Sequence, residues 1–221
     1  MGRRREFDAA EVLRMVEERF WRDGYRATSM QEIAAATGVN PGSLFKCFGS
    51  KRNLYLAALR RYAEADSPRA FLLRSFDVPL TDALRGFYEE VIGRVERGGP
   101  VGCLVSNHVS ELASVQDDVA EPSIELMRST QQLLRLRLVW AREQGELEAD
   151  VDIEELAAHL FCVLQGLYVL SASTRNVDDM RRASHLAVSV VERQLRRSPD
   201  SNPKLGSQPT KNKLVDATLS C

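Results

Sequence analysis

The stretch that most limits what this chain can fold into is Ser29 to Phe48, SMQEIAAATGVNPGSLFKCF. Its spacing predicts two short helices on a tight joint. Ile33, Ala34 and Ala35 fall in the first helix, Thr37-Gly38-Val39 form the turn, and Asn40-Pro41 open the second. Glycine at 38 suits a helix C-terminus, because a left-handed residue costs it nothing. Asn40 can accept a backbone N–H as an N-cap. Pro41 fits the first helical position, where no N–H is needed. Helices on so short a joint cannot lie antiparallel and must cross steeply. That is helix-turn-helix geometry, in which the second helix has the shape to enter a DNA major groove.

The flanks follow the same rules. Asp8 caps a helix over about Ala9–Asp23, with a stripe of Val12, Met15, Val16, Arg19 and Phe20 widened by Leu13 and Trp21. Gly24 ends it. Thr28 or Ser29 caps the next helix, and Glu32, three residues after Ser29, fits a capping box. Ser50 caps a fourth helix running to about Ala65, with Leu54, Leu56, Ala57, Leu59 and Tyr62 on its stripe.

The charge is unevenly spread. Residues 1–62 hold 12 Lys and Arg against 7 Asp and Glu, a net +5, and residues 63–221 hold 18 against 24, a net −6. A small nucleic-acid module joined to a non-binding part shows this balance. Chance clustering gives an excess of that size as readily, so the asymmetry only supports the motif. Arg3-Arg4-Arg5 reads equally as an arm for an adjacent minor groove or as a solubilising tail.

Several function classes lose support. Cys47, Cys103, Cys162 and Cys221 are far apart, and no CxxC or Cys/His pair has metal-ligand spacing. Free thiols in a reducing compartment are the expectation, with no metal or cofactor. No Ser/His/Asp set, paired carboxylates or Gly-rich phosphate loop suggests an enzyme. The longest apolar run, Val163–Ala172, is interrupted by Gln165 and Gly166, so no membrane span is expected. The basic start MGRRREFDAAEVL has no apolar core after it, and a cytoplasmic protein follows.

Beyond Asp66-Ser67-Pro68, a break, Arg69–Phe76 reads as a short helical continuation or a loop. A helix from Leu80 or Thr81 to about Arg97 carries Leu84, Phe87, Tyr88, Val91, Ile92 and Val95, and Gly98-Gly99-Pro100 stops it. Val101-Gly102-Cys103-Leu104 starts another that ends near Ala113. A long helix over about Asp118–Gly145 has Pro122 in its first turn. Asp152 caps a helix from Ile153 to about Thr174. Its large face is Leu156, Leu160, Phe161, Leu164, Leu167 and Tyr168, and its second, small face is Ala158, Cys162 and Gly166. Apolar on two faces, it reads as buried on both. The last helix covers about Val177–Arg197. Residues 199–221 are polar, Pro-containing and aperiodic, and read as a disordered tail.

Residues 5–62 resemble the DNA-binding domain of the TetR family of bacterial transcriptional repressors. The matching residues are Phe20, Gly24-Tyr25, Thr28-Ser29-Met30, Ile33-Ala34, Gly38-Val39, Gly42-Ser43-Leu44-Phe45, Phe48 and Lys51, without a gap. GCLVSNHVSEL is similar to the start of the sixth helix in one branch of that family. The resemblance implies an all-α fold of about nine helices. An N-terminal three-helix helix-turn-helix DNA-binding domain, residues 1–65, leads into a larger helical ligand-binding and dimerisation domain, residues 66–198. It also implies a double-stranded DNA operator, a small-molecule effector and a homodimer through the last two helices. A monomer whose last helices are simply core is the competing reading.

For DNA, the residues singled out are Thr28, Ser29, Asn40, Pro41, Gly42, Ser43, Phe45, Lys46 and Lys51. Gly42, Ser43 and Lys46 are expected to face outward while Leu44 and Phe48 pack inward. Phe45 stands where the family usually has a Tyr whose hydroxyl reaches a phosphate, so orientation is expected to lean on Lys46, Lys51 and Thr28. For the effector, the polar or aromatic residues on otherwise apolar helices are Phe87, Tyr88, Cys103, Asn107, His108, Met127, Trp140, Gln165 and Tyr168. For any one of them a core role is the simpler reading, His108 above all. A thiol switch at Cys103 or Cys47 is the alternative mechanism.

Overall fold

Ser29 Oγ accepts the Glu32 N–H at 3.2 Å while Glu32 Oε2 accepts the Ser29 N–H at 2.7 Å, so the expected capping box is closed in both directions. The computed structural model describes residues 7–112 and 119–195, the side chains of 110–112 excepted. Arg3-Arg4-Arg5, Cys221 and the tail 199–221 lie outside the described residues.

The chain runs α1 (Ala9–Asp23), α2 (Met30–Thr37), α3 (Pro41–Phe48), α4 (Lys51–Arg61), one π-helical turn (Tyr62–Asp66), α5 (Pro68–Arg74), α6 (Leu80–Glu96), α7 (Leu104–Leu112), α8 (Ala120–Glu143), α9 (Ile153–Ser173) and α10 (Val177–Glu192). Among the described residues there is no strand, only an isolated antiparallel bridge between Leu147 and Leu195. Asp8, Asn40, Ser50 and Asp152 each cap the helix expected of them. Gly38 is left-handed, φ 69° and ψ 9°, as the joint requires.

In the N-terminal part, α1 packs along α4, and α2 and α3 close against them. Val16, Phe20, Ile33, Leu44, Leu54 and Tyr55 are fully buried at its centre. Phe20 meets Tyr55 edge-on with ring centroids 5.2 Å apart. In the larger part, α8 packs on α9, α6 on α5 and α10, and α7 on α8.

The fourth helix does not run to Ala65 as one α-helix. It ends at Arg61 and widens into the π turn, and a further short helix, α5, follows, which makes ten α-helices among the described residues. Residues 61–70 show why. Arg61 Nη1 donates to both Glu17, at 2.5 Å, and Asp66, at 2.6 Å, which draws the turn outward. Ser67 precedes a proline and is extended, φ −103° and ψ 153°. Its hydroxyl donates to Ala63 O and accepts the Ala70 N–H, so it closes one helix and caps the next. The last helix also stops early, at Glu192. The chain there folds back, and Glu148 donates its N–H to Gln194 O at 3.0 Å.

By length and composition α9 is long and apolar enough to cross a bilayer, in spite of Gln165 and Gly166. Leu156, Leu160, Leu164 and Leu167 are instead buried in the helical core. Its small face is not: Cys162 and Gly166 are exposed and Ala158 is half-buried in the single chain. Exposed apolar residues continue at Val169, 66% accessible, and Leu186 on α10, 63% accessible.

Candidate nucleic-acid interface and ligand cavity

Leu44 is fully buried and, with half-buried Phe48, fixes the rotation of α3. That turns Gly42, Phe45, Lys46 and Cys47 to solvent and leaves Ser43 half-buried. Phe45 is 47% accessible, an apolar ring on an otherwise polar face. Asn40 Oδ1 accepts the Gly42 N–H at 2.8 Å, and a Cβ on residue 42 would lie 3.1 Å from that oxygen. The glycine therefore has a local reason, which is to leave room for the cap. Pro41 occupies the first helical position.

The flanking residues divide. Ser29 uses its oxygen as an acceptor in the capping box, and its hydroxyl proton remains to donate. The backbone N–H of Ser29 holds the Glu32 carboxyl below its ordinary range, so the box stays charged. Thr28 is buried, and its hydroxyl donates to Gly24 O at 2.7 Å. It belongs to the α1–α2 link and is not on the surface. Lys51 is half-buried, with Nζ 4.5 Å above the Tyr25 ring and 3.5 Å from Arg26 O.

A small cavity lies in the larger part among α5, α7, α8 and α9. Cys103, Met127, Gln165 and Tyr168 of the nine expected residues meet there, with Ser106, Phe161 and Leu164 beside them. Its free space is about 20 Å³, room for about one water. Ser106 Oγ donates to Gln165 Oε1 at 2.8 Å across α7 and α9. The other expected residues are elsewhere. Phe87 and Tyr88 are buried in the α6 core, where the Tyr88 hydroxyl donates to Leu160 O at 2.9 Å. Burial pushes that hydroxyl's pKa up. Trp140 packs on Phe76. Asn107 is exposed beside Gly102 and Val101 O. His108 is buried between the two parts, its ring 4.6 Å from Tyr55 and 5.4 Å from Tyr25.

Among the lining residues outside the expected set, Tyr62 and Arg69 bring the most chemistry. Tyr62 places its hydroxyl 3.3 Å from Cys103 Sγ. Burial drives the Tyr62 and Tyr168 hydroxyls well above their ordinary pKa. Arg69 also lines the cavity and is only 6% accessible. Its signal was positional: Arg69, Leu72 and Phe76 fall at helical spacing on one stripe of α5 and the turn after it.

Glu17, on α1, is 4% accessible, and its burial pushes the carboxyl up to about 7 against the opposing pull of Arg61. Among the described residues, no cluster of His, Cys, Asp and Glu could hold a metal ion.

Comparison with known proteins agrees with this architecture. The family "Bacterial regulatory proteins, tetR family" matches residues 16–58, and "Tetracyclin repressor-like, C-terminal domain" matches residues 81–187. The HTH-type transcriptional regulator YezE of Bacillus subtilis is 28% identical over 87% of this chain and all of its own length. The HTH-type transcriptional repressor ComR of Escherichia coli is 26% identical over 76% of this chain and 81% of its own. Among solved structures, a cysteine mutant of the TetR family regulator CifR, complexed with 26-bp operator DNA, superposes with a TM-score of 0.67 at 28% identity. It covers 90% of this chain and all of that one. A chain from Rhodococcus sp. RHA1 assigned to the TetR regulators is 32% identical, with a TM-score of 0.55, over 83% of this chain and 98% of that one. An exposed second helix on a tight joint, a larger helical part behind it and these likenesses lead to one conclusion: the chain belongs to the TetR family of bacterial transcriptional regulators and is a DNA-binding regulator.

Proposed function

We propose that the chain is a homodimeric, effector-released transcriptional repressor and not an enzyme. Residues 1–65 read the operator and residues 66–198 bind the effector and dimerise. Ser43, Phe45 and Lys46 on α3 face the major groove, while Ser29, Asn40 and Lys51 steady the helix against phosphates. The exposed apolar residues Val169 and Leu186, with the small residues Cys162 and Gly166, support a dimer through α9 and α10. Two reading helices then sit about one turn apart, ~34–36 Å, and the operator is a near-palindrome. It acts in the cytoplasm, where its DNA is.

The observation that carries this reading is the double duty of α7. Val105 and Ser106 wall the cavity, and His108 stacks on Tyr55 of α4 beside Tyr25, over which Lys51 is poised. An effector that widens the cavity displaces the helix that props the reading head. Only differential affinity is required: the effector must bind the displaced state more tightly. The test is a footprint of the full-length protein on DNA upstream of its own gene. Two protected half-sites one turn apart are expected, and a single protected patch held by a monomer sinks the proposal.

A second reading rests on Cys103, which is buried in the cavity wall with its Sγ 3.3 Å from the Tyr62 hydroxyl. There the signal is oxidation or alkylation of the thiol. Exposed Cys47, on α3, is a second candidate thiol for this reading. Operator binding with and without oxidant separates the two readings. A Cys103→Ser protein that responds to oxidant like wild type ends the role of Cys103.

A further inference from the structure

Arg69 lines the cavity and is 6% accessible, yet no hydrogen bond or ion pair engages its guanidinium among the described residues, and its Nε is buried without a partner. The acidic group that acts on it, Glu64, is exposed and forms no ion pair with it. Arg137, the other buried arginine among the described residues, is better provided for: its Nε and Nη1 make no hydrogen bond, but Nη2 donates to Val78 O at 2.7 Å and Nη1 lies 3.8 Å from the Glu146 carboxylate. Half-buried Arg94 also leaves Nη1 without a hydrogen bond, yet it donates Nη2 to Asp66 O and lies over the Trp21 ring. A desolvated cation without a counter-charge destabilises the protein that holds it, and a guanidinium offers a planar fork matched to a carboxylate. Such a group beside a cavity has the character of half a recognition pair.

We infer that the effector is a small organic acid whose carboxylate pairs with Arg69 while its apolar body packs on Met127, Phe161 and Leu164. This deepens the reading of the cavity as the effector site and rests on it. Gln165 and Ser106 supply hydrogen-bonding groups at the cavity wall. The present cavity, about 20 Å³, admits only about one water, so the acid enters as α5 and α8 part. Arg69 sits two residues after Ser67, whose hydroxyl holds Ala63 O of the π turn. A pull on Arg69 is therefore applied directly at the joint between the reading head and the body.

The test uses full-length protein with benzoate and hexanoate as probes and benzamide and hexanamide as their neutral counterparts. Calorimetry is expected to give acids that bind roughly ten- to a hundredfold tighter than the amides, the difference a charged hydrogen-bonded pair makes. Arg69→Met is expected to abolish that preference and to raise the melting temperature of the ligand-free protein, because it removes an unpaired buried charge at similar length. Arg69→Lys is expected to keep part of the preference. Acids and amides bound alike, no binding of either acid, or a lower melting temperature in Arg69→Met each overturns the inference. Operator affinity, measured separately by fluorescence anisotropy, keeps the two readings apart. Acids that bind through Arg69 without releasing operator leave the site standing and remove the effector-released mechanism.

Discussion

The imidazole of His108 lies nearly flat on the ring of Tyr55, with centroids 4.6 Å apart and planes 24° from parallel. The two residues belong to different parts of the molecule, α7 and α4. Aromatic pairs add about 0.5–1.5 kcal/mol beyond the area they bury. His108→Ala is therefore expected to cost about 2 kcal/mol in urea unfolding, from lost stacking and the cavity left behind. His108→Phe should recover most of it. Equal losses in both variants would show that shape and stacking are not what the site requires.

Phe45 and Lys46 give the most direct check of the reading helix. Phe45→Tyr adds a hydroxyl to an exposed ring on that face and is expected to tighten operator binding by up to about tenfold, the worth of one hydrogen bond. Lys46→Ala is expected to weaken binding and reduce the salt slope by about one. Anisotropy titrations at several salt concentrations measure both. Unchanged slopes and affinities would mean that α3 does not face the DNA.

Glu17 makes stability depend on pH. Its carboxyl is raised from the ordinary 4.5 to about 7 by burial. The folded state keeps its proton where the unfolded chain has lost it. The stabilisation is thus fully present below about pH 4.5 and is lost as the pH rises through about 7. The swing is of order 3 kcal/mol at most. Glu17→Gln mimics the protonated form, so urea melts from pH 5 to 8 should show a flatter profile than wild type. A variant that is weaker at pH 8 with the slope unchanged would mean that the charged pair with Arg61 dominates.

Val169 and Leu186 test the proposed dimer. Each exposes most of an apolar side chain on the single subunit, at 66% and 63%. Val169→Asp or Leu186→Glu is expected to shift the protein to monomer in sedimentation velocity and to lower operator affinity steeply. The helical circular dichroism should persist. Dimers that survive both changes would place the interface elsewhere.

Much of this architecture could be read from the chain, because caps and breakers are local. Ser29 with Glu32, Asn40, Ser50 and Asp152 each act within three residues, and glycine at 24, 38 and 145 marks helix ends with positive φ. What escaped depends on packing at a distance. The π turn is set by Arg61 reaching Glu17, 44 residues earlier, and periodicity within α4 carries no trace of that. Thr28 is a polar residue next to a cap, and nothing local says that its hydroxyl turns inward to Gly24. Tyr88, Trp140 and Gln165 have the same standing as polar or aromatic residues on apolar helices. Only the relative rotation of α6, α8 and α9 sends Gln165 to the cavity and the other two elsewhere. Arg69 escapes a local reading because charge suggests solvent, whereas the packing of α5 buries it to 6% accessibility.

The cap beneath Gly42 limits how this protein can acquire new binding sequences. A side chain at 42 has to push Asn40 aside by a few tenths of an ångström, and a change at Leu44 opens the core. The first two turns of the reading helix thus leave Ser43, Phe45, Lys46 and Cys47 as the positions that can vary without unseating the helix. Drift toward a different operator is channelled through those four letters, and descendants that recognise unrelated sites should differ there first while keeping Asn-Pro-Gly at the helix entrance.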